Sequence, residues 1–411
     1  MLTANKTALQ GMASADPVLV DIAPASEVVP GMSPELFLHA GPPIDYESMC
    51  APMKGAVCCA LINEGFAADP AAAVAIASAG AVRFEPCHAH SAVGPMTGLT
   101  SFSMPVWVLE DRASGRRAYV NVSEGQGVGL RFGEYDPATI ARLDWIKNVF
   151  APVFHEVLMK DGPVELTPLM AEALAMGDEL HMRNIASTSL FIKRTAAAVV
   201  RRAGARAAEV IRFMSVGNDQ FFLNLAMGAA KLIADAGDGV RGSSIVTAIA
   251  RNGVETGIRI SGLPGRWFTA PAPMVDGLFF PGRTASDANP DIGDSAIMET
   301  AGFGGSAMAA APAIVRLFGR TDASIARRTT ENAYKTACGV NERFPIPAMD
   351  FRGTPLGIDA LAVVETGLTP VLDTAIAARR PGVGMVGAGM AVTPLKPFEE
   401  AVLALASELE V

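Results

Sequence analysis

The chain has 411 residues, half of them apolar and only 18% charged, which excludes an intrinsically disordered polymer and leaves room for two to three domains at about 150 residues each. Its 42 acidic against 33 basic side chains argue against a nucleic-acid binder, whose affinity rests on Lys and Arg neutralising phosphates. Uncharged tracts such as 300–315 and 381–395 are interrupted by Gly, Pro and Ser, so no run of about 18 apolar residues predicts a membrane span.

The cysteines are sparse and odd in number (Cys50, Cys58, Cys59, Cys87, Cys338), and residues 1–16 lack the basic and apolar regions of a signal peptide. Both features read as a reduced, cytoplasmic protein. Strands are expected at 18–21, 106–109 and 118–122. Helices announce themselves where a capping residue precedes proline, since proline at the first helical position gives up an amide that has no partner there anyway. Asp69-Pro70 opens an Ala-rich helix ending at Gly80, and Asp136-Pro137 opens one through Trp145, Ile146, Phe150 and Phe154. Thr167-Pro168 opens a helix expected to run through Met170, Leu174, His181, Ile185 and Leu190, and Lys396-Pro397 starts the C-terminal one.

Residues 136–236 are almost wholly helical in period. Beyond them, short β-prone runs flank Asn252-Gly253, a dipeptide that tolerates positive φ and marks a hairpin. A meander is expected to continue through Trp267-Phe268-Thr269 and Leu278-Phe279-Phe280, with a helix near 324–336. The pattern predicts an α+β fold: an irregular, multi-domain mixed α/β chain with an inserted small helical domain, divided as 1–135, 136–240 and 241–411.

Several constellations carry chemistry. Pro86-Cys87-His88-Ala89-His90 places a thiol and two of the five histidines in one loop. Cys-His pairs serve as nucleophile and base or as metal ligands, but no second ligand pair stands at zinc spacing, so His88 as hydrogen-bond donor or general acid/base competes with a purely structural loop. On a continuous helix Asp178, His181 and Ile185 would share a stripe, Asp178 orienting one imidazole nitrogen. The same pattern fits a solvated, salt-bridged face. The stretch from Asn289 to Ser306 ends in Gly302, Gly304 and Gly305 before an Ala-rich run, a candidate anion cup, although Asp291, Asp294 and Glu299 oppose an anion unless they hold a metal or are protonated. Gly382, Gly384 and Gly387 form a literal GxGxxG with no helix starting in it, a weak dinucleotide match. Gly125, Gly127 and Gly129 after Asn121 are equally unspecific. Lys54, Arg251 and Arg266 stand beside loop signals where a guanidinium or ammonium meets carboxylate or phosphate.

The order His39-Ala40-Gly41-Pro42-Pro43, Pro86-Cys87-His88, Gly177-Asp178-Glu179, Arg183-Asn184-Ile185-Ala186, Asp219-Gln220-Phe221-Phe222-Leu223-Asn224, Arg251-Asn252-Gly253, Arg266-Trp267-Phe268-Thr269 and Gly293-Asp294-Ser295-Ala296 resembles the YlbE-like family, to which the AllG-type subunit of oxamate carbamoyltransferase belongs. The likeness spans nearly the whole chain. His90 departs from it, standing where an apolar residue is expected.

The resemblance implies carbamoyl transfer between phosphate and the nitrogen of oxamate, linking oxalurate to carbamoyl phosphate in purine (allantoin) catabolism. It implies an FdrA-like partner related to succinyl-CoA synthetase, a third small subunit, a small anionic substrate and no cofactor; a homo-oligomer is also expected. Such chemistry needs clamps for two anions and a donor for a developing oxyanion. His88, His181 and Asp178 are the catalytic candidates. Lys54, Asn121, Arg183, Asn184, Arg266, Gly302, Gly304 and Gly305 are the substrate-binding ones, with no metal ligand assigned. The competing readings are a non-catalytic assembly subunit and a metal-dependent amide hydrolase built on Cys87, His88 and His90.

Overall fold

The computed structural model describes residues 2–125 and 127–409. Helices alternate with several small sheets in a mixed α+β fold. Proline and its cap start helices where expected: Asp69 accepts from the Ala72 amide ahead of Pro70–Ser78, and Asp136 from the Thr139 amide ahead of Pro137–Trp145. The second continues through a π-helical turn, Ile146–Phe150, into Ala151–Asp161.

A five-stranded sheet carries the N-terminal region, with strand Pro105–Asp111 between Pro17–Pro24 and Arg117–Asn121. Its Trp107 is fully buried and meets Phe150, Phe154 and Phe221 edge to face. The aromatic spacing that reads as one helix face is therefore the surface that docks on this sheet. The helix Leu223–Asp235 is buried from Leu223 to Ala234 and lies so close that a Cβ on Gly228 would come within 2.7 Å of Leu109. One hydrophobic cluster joins Ala8, Phe154, Leu225 and Leu356.

The Asn-Gly hairpin forms as expected. Strands Val246–Asn252 and Glu255–Ile260 pair antiparallel, and Phe268–Pro271 extends them. The meander stops there, because Asp276–Phe279 instead pairs with Met385–Val392, which also pairs with Val371–Ala377. Gly382, Gly384 and Gly387 sit at the turn and start of the second strand of that hairpin, and the next helix begins only at Lys396, too far on to receive a dinucleotide phosphate there.

The helix expected from Thr167 to Leu190 is broken. Leu166–Ala175 ends at Gly177 (φ +99), Leu180 adopts φ +73, and helix Ile185–Ala203 begins anew. The Glu179 carboxylate supplies the reason: it accepts from the His181 amide at 3.2 Å, the Arg183 amide at 2.8 Å and the Met182 amide, closing a tight loop in place of a helical turn. Asp178 and His181 thus do not share a helical stripe.

Candidate active site: an amide-lined cleft and a buried acid cluster

A cleft of about 480 Å³ opens where the end of strand Arg117–Asn121, the loop before helix Leu223–Asp235 and the turn after Gly125 meet. Among the described residues, four with side-chain amides line it: Asn121, Asn218, Gln220 and Asn224. Asn224, on the first turn of its helix, donates to the Asn121 backbone carbonyl at 2.6 Å and to Asn121 Oδ1 at 2.9 Å. Gln220 Nε2 donates to the Met182 carbonyl at 3.1 Å, and Asn218 bridges the Phe213 carbonyl and Ser123. Among the described residues Asn121 Nδ2, Asn224 Oδ1 and Gln220 Oε1 make no hydrogen bond, which leaves a donor and two acceptors unused on residues that line the cleft.

The cationic group of the cleft is Arg131. Its Nη2 donates to the carbonyls of Gly125 and Gly127 at 2.9 and 3.0 Å, while the buried Nη1 makes no hydrogen bond and forms an ion pair with Glu124 Oε2 at 3.8 Å. Glu124 Oε2 is itself buried without a hydrogen-bond donor, Oε1 being taken by the Arg131 amide. The glycine at 129 makes room for the carboxylate, since a Cβ there would stand 1.9 Å from Glu124 Oε2 and displace it. Burial lowers the Arg131 guanidinium from its ordinary value, with Glu124 opposing that shift.

Behind the wall near Ala375, a second constellation is fully enclosed. His181 Nδ1 lies 2.8 Å from Glu299 Oε1 and 3.4 Å from Asp373 Oδ1. Burial alone would lower the imidazolium, but Glu299 and Asp373 outweigh it and raise His181 to about 9. Burial pushes Glu299 up to about 7 despite His181. Asp373 stays below the usual carboxylate range, because His181 overcomes its desolvation.

The sequence-derived candidates fall into separate places. Asn121 lines the cleft. His181 belongs to the acid cluster, and Asn184 donates to its backbone carbonyl at 2.8 Å. Asp178 does not orient His181. It accepts from the amide and hydroxyl of Ser187 at 2.7 and 3.0 Å, with Arg183 Nε 3.8 Å away on the partly exposed side. The expected anion cup is filled from within: the Gly305 amide donates to Glu299 Oε1 at 2.9 Å, the Gly304 amide to the Glu179 carbonyl, and Gly302 lies against the Pro355 carbonyl. A carboxylate of the chain itself occupies the place proposed for phosphate.

His88 is buried beside Trp267, its Nε2 3.6 Å from Asp294 Oδ1, and burial holds it well below the ordinary imidazole value. It does not line the cleft. Cys87 Sγ turns to the Gly98 carbonyl, and His90 to the Pro30 carbonyl and Glu85, so Cys87, His88 and His90 do not converge as metal ligands. Lys54 donates to the Glu47 carbonyl at 2.8 Å, and the exposed Arg266 lies over the Phe268 ring; neither lines the cleft. Arg251 is structural, held by Asp291 at 2.8 and 3.1 Å and by the Gly293 carbonyl at 2.7 Å. Sequence reasoning passed over Arg131, Glu124 and Asp373. The available signals were the glycines around Arg131 and the Asn/Gln-rich string 218–224.

A family model described as oxamate carbamoyltransferase subunit AllG matches residues 82–295. The chain is 45% identical to the Escherichia coli K12 protein named "Oxamate carbamoyltransferase subunit AllG", over 99% of this chain and 98% of that one. It is 42% identical to "Uncharacterized protein YahG" of the same organism, over 97% of this chain and 85% of that one. A crystal structure of a conserved protein of unknown function from Enterococcus faecalis V583 superposes with a TM-score of 0.96 at 44% identity, covering 98% of this chain and 97% of that one.

Proposed function

The chain belongs to the AllG family of oxamate carbamoyltransferase subunits, and from that premise we propose that its amide-lined cleft binds oxamate and is where carbamoyl transfer takes place. One observation carries the reading. Asn121, Gln220 and Asn224, each with an amide group that makes no hydrogen bond among the described residues, line the same cleft as Arg131 and its ion-pair partner Glu124. Oxamate joins a carboxylate to a primary amide, and oxalurate lengthens that amide by a carbamoyl group. Arg131 suits the carboxylate, since a guanidinium offers it directed, charge-assisted donors. The side-chain amides suit the N–H and C=O edges that remain.

In the phosphorolytic direction a phosphate oxygen attacks the ureido carbonyl carbon of oxalurate. The bond from that carbon to the oxamate nitrogen breaks, and the nitrogen takes up a proton, leaving oxamate and carbamoyl phosphate. The cleft contributes positioning, because two anions must be held within reach of each other. Asn121 Nδ2 is the donor for the carbonyl oxygen as it gains charge. Glu124, which lines the cleft beside Arg131, is the group assigned to carry the proton. The chain acts within a complex, completed by an FdrA-like subunit related to succinyl-CoA synthetase and by a third small subunit, in the cytoplasm and in allantoin breakdown.

The test is turnover of oxamate and carbamoyl phosphate to oxalurate by the assembled complex carrying Arg131→Gln. Loss of a charge-assisted pair worth about 1.5–3 kcal/mol raises KM for oxamate roughly 10- to 150-fold while assembly is retained on gel filtration. Unchanged kinetics in this variant would leave the chain as an assembly subunit.

A further inference from the structure

We propose that His181, Glu299 and Asp373 form a binding site for one divalent transition-metal ion of the zinc or manganese class. The inference stands apart from the carbamoyl reading, since it concerns the enclosed cluster and not the cleft. One donor atom from each of the three residues lies within 4.8 Å of the others. The two distances from imidazole nitrogen, 2.8 Å to Glu299 and 3.4 Å to Asp373, match the edges of a coordination polyhedron. Donors at about 2.1 Å from a metal are roughly 3.0 Å apart when octahedral and 3.4 Å apart when tetrahedral.

Three further observations point to a guest. Asp373 Oδ2 and Glu299 Oε2 are buried without a hydrogen-bond partner, and Asp373 Oδ1 faces only His181 Nδ1, at 3.4 Å, although both residues are wholly enclosed. Gly304, at φ +54, keeps the space over them clear: a Cβ there would lie 2.3 Å from Glu299 Oε1 and 2.9 Å from Asp373 Oδ1. No Lys or Arg among the described residues forms an ion pair with Glu299 or Asp373; their one cationic partner is His181 itself. An incoming ion displaces the His181 proton; the two carboxylates and the then neutral imidazole carry a charge that a divalent ion cancels, and mixed nitrogen and oxygen donors favour zinc or manganese over calcium.

The surroundings suit such a site. Glu179, fixed by the amides of residues 181–183, shapes the loop that presents His181, and the Gly305 and Asp373 amides steady Glu299. Gly305 and Val371, close in sequence to Gly304 and Asp373, also border a pocket of about 220 Å³. A bound ion fixes the His181-Met182 loop, and with it the Met182 carbonyl that holds Gln220 in the cleft.

The full-length chain, stripped with a chelator and dialysed against Zn²⁺ or Mn²⁺, is expected to retain one ion per chain by elemental analysis. X-ray absorption should find one imidazole nitrogen among oxygen donors. Asp373→Asn and Glu299→Gln should each weaken binding by at least about tenfold with an unchanged circular dichroism spectrum. Failure of the stripped wild-type chain to take up either ion, or equal uptake by both variants, overturns the proposal. Where Asp373→Asn does not fold, Glu299→Gln and the wild-type absorption spectrum decide.

Discussion

The Asn224 side chain joins helix to strand: its Nδ2 reaches both the backbone carbonyl and the Oδ1 of Asn121, residues 103 positions apart in the chain. The pair holds the end of strand Arg117–Asn121 against the start of helix Leu223–Asp235, where both residues line the cleft. Asn224→Ala removes both bonds and leaves the Asn121 carbonyl without that donor, a cost of about 1–3 kcal/mol. Urea unfolding should register that loss, and the assembled complex should lose oxamate turnover by at least about tenfold, more than the fraction of unfolded chain accounts for. Turnover that only tracks the folded fraction would reduce Asn224 to a structural tie.

How much of this was readable beforehand depends on the range of the interaction. The caps of Asp69 and Asp136 act three residues away, so the sequence announces them, and the Asn252-Gly253 hairpin is equally local. The break at 177–184 is not legible, because apolar periodicity continues across it. What ends the helix is a Glu179 side chain bent onto its own following amides, with Leu180 held at positive φ. The cleft and the acid cluster were harder still. Glu299 lies 118 positions from His181, and Asn121 and Asn224 carry no motif of their own. The glycines at 304 and 305 read as an anion cup because sequence cannot say that the chain's own Glu299 fills it.

Acid sensitivity should be traceable to His39. It is fully buried, its Nδ1 2.8 Å from the Ala40 carbonyl and its Nε2 without a partner. Burial lowers it from 6.5 to about 4, with the Ala40 bond opposing. The imidazole is therefore neutral when folded and protonates earlier when unfolded. Its contribution to stability is full above pH 6.5 and is lost as pH falls toward 4, at up to about 1.4 kcal/mol per pH unit. His39→Asn keeps a donor for Ala40 without the titration. The urea midpoint of this variant should fall less steeply than that of the wild type between pH 6.5 and 4, and parallel curves would refute the assignment.

Arg251 and Asp291 form a fully enclosed, bidentate ion pair that also ties the Gly293 carbonyl and Thr374. Removing one partner strands the other charge in the interior, and breaking such a pair costs about 3–5 kcal/mol. Asp291→Ala should therefore unfold at markedly lower urea than a control such as Asp161→Ala, whose salt bridges to Arg201 and Arg202 lie at the surface and are worth little. Similar midpoints for the two variants would mean that the buried pair is worth no more than a surface one.

Gly304 gives a prediction that separates strain from packing. At φ +54 an alanine is disfavoured by about 1 kcal/mol or more in the backbone alone. Its Cβ would also press on the Glu299 and Asp373 carboxylates, at 2.3 and 2.9 Å, which cannot retreat without giving up the Gly305 and Asp373 amides. Gly367, at φ +68 with open space around it, carries the same backbone penalty and no contact. Gly304→Ala should therefore lower the urea midpoint well beyond Gly367→Ala. The difference between the two measures what the glycine preserves above the acid cluster, and equal losses would mean that only φ matters there.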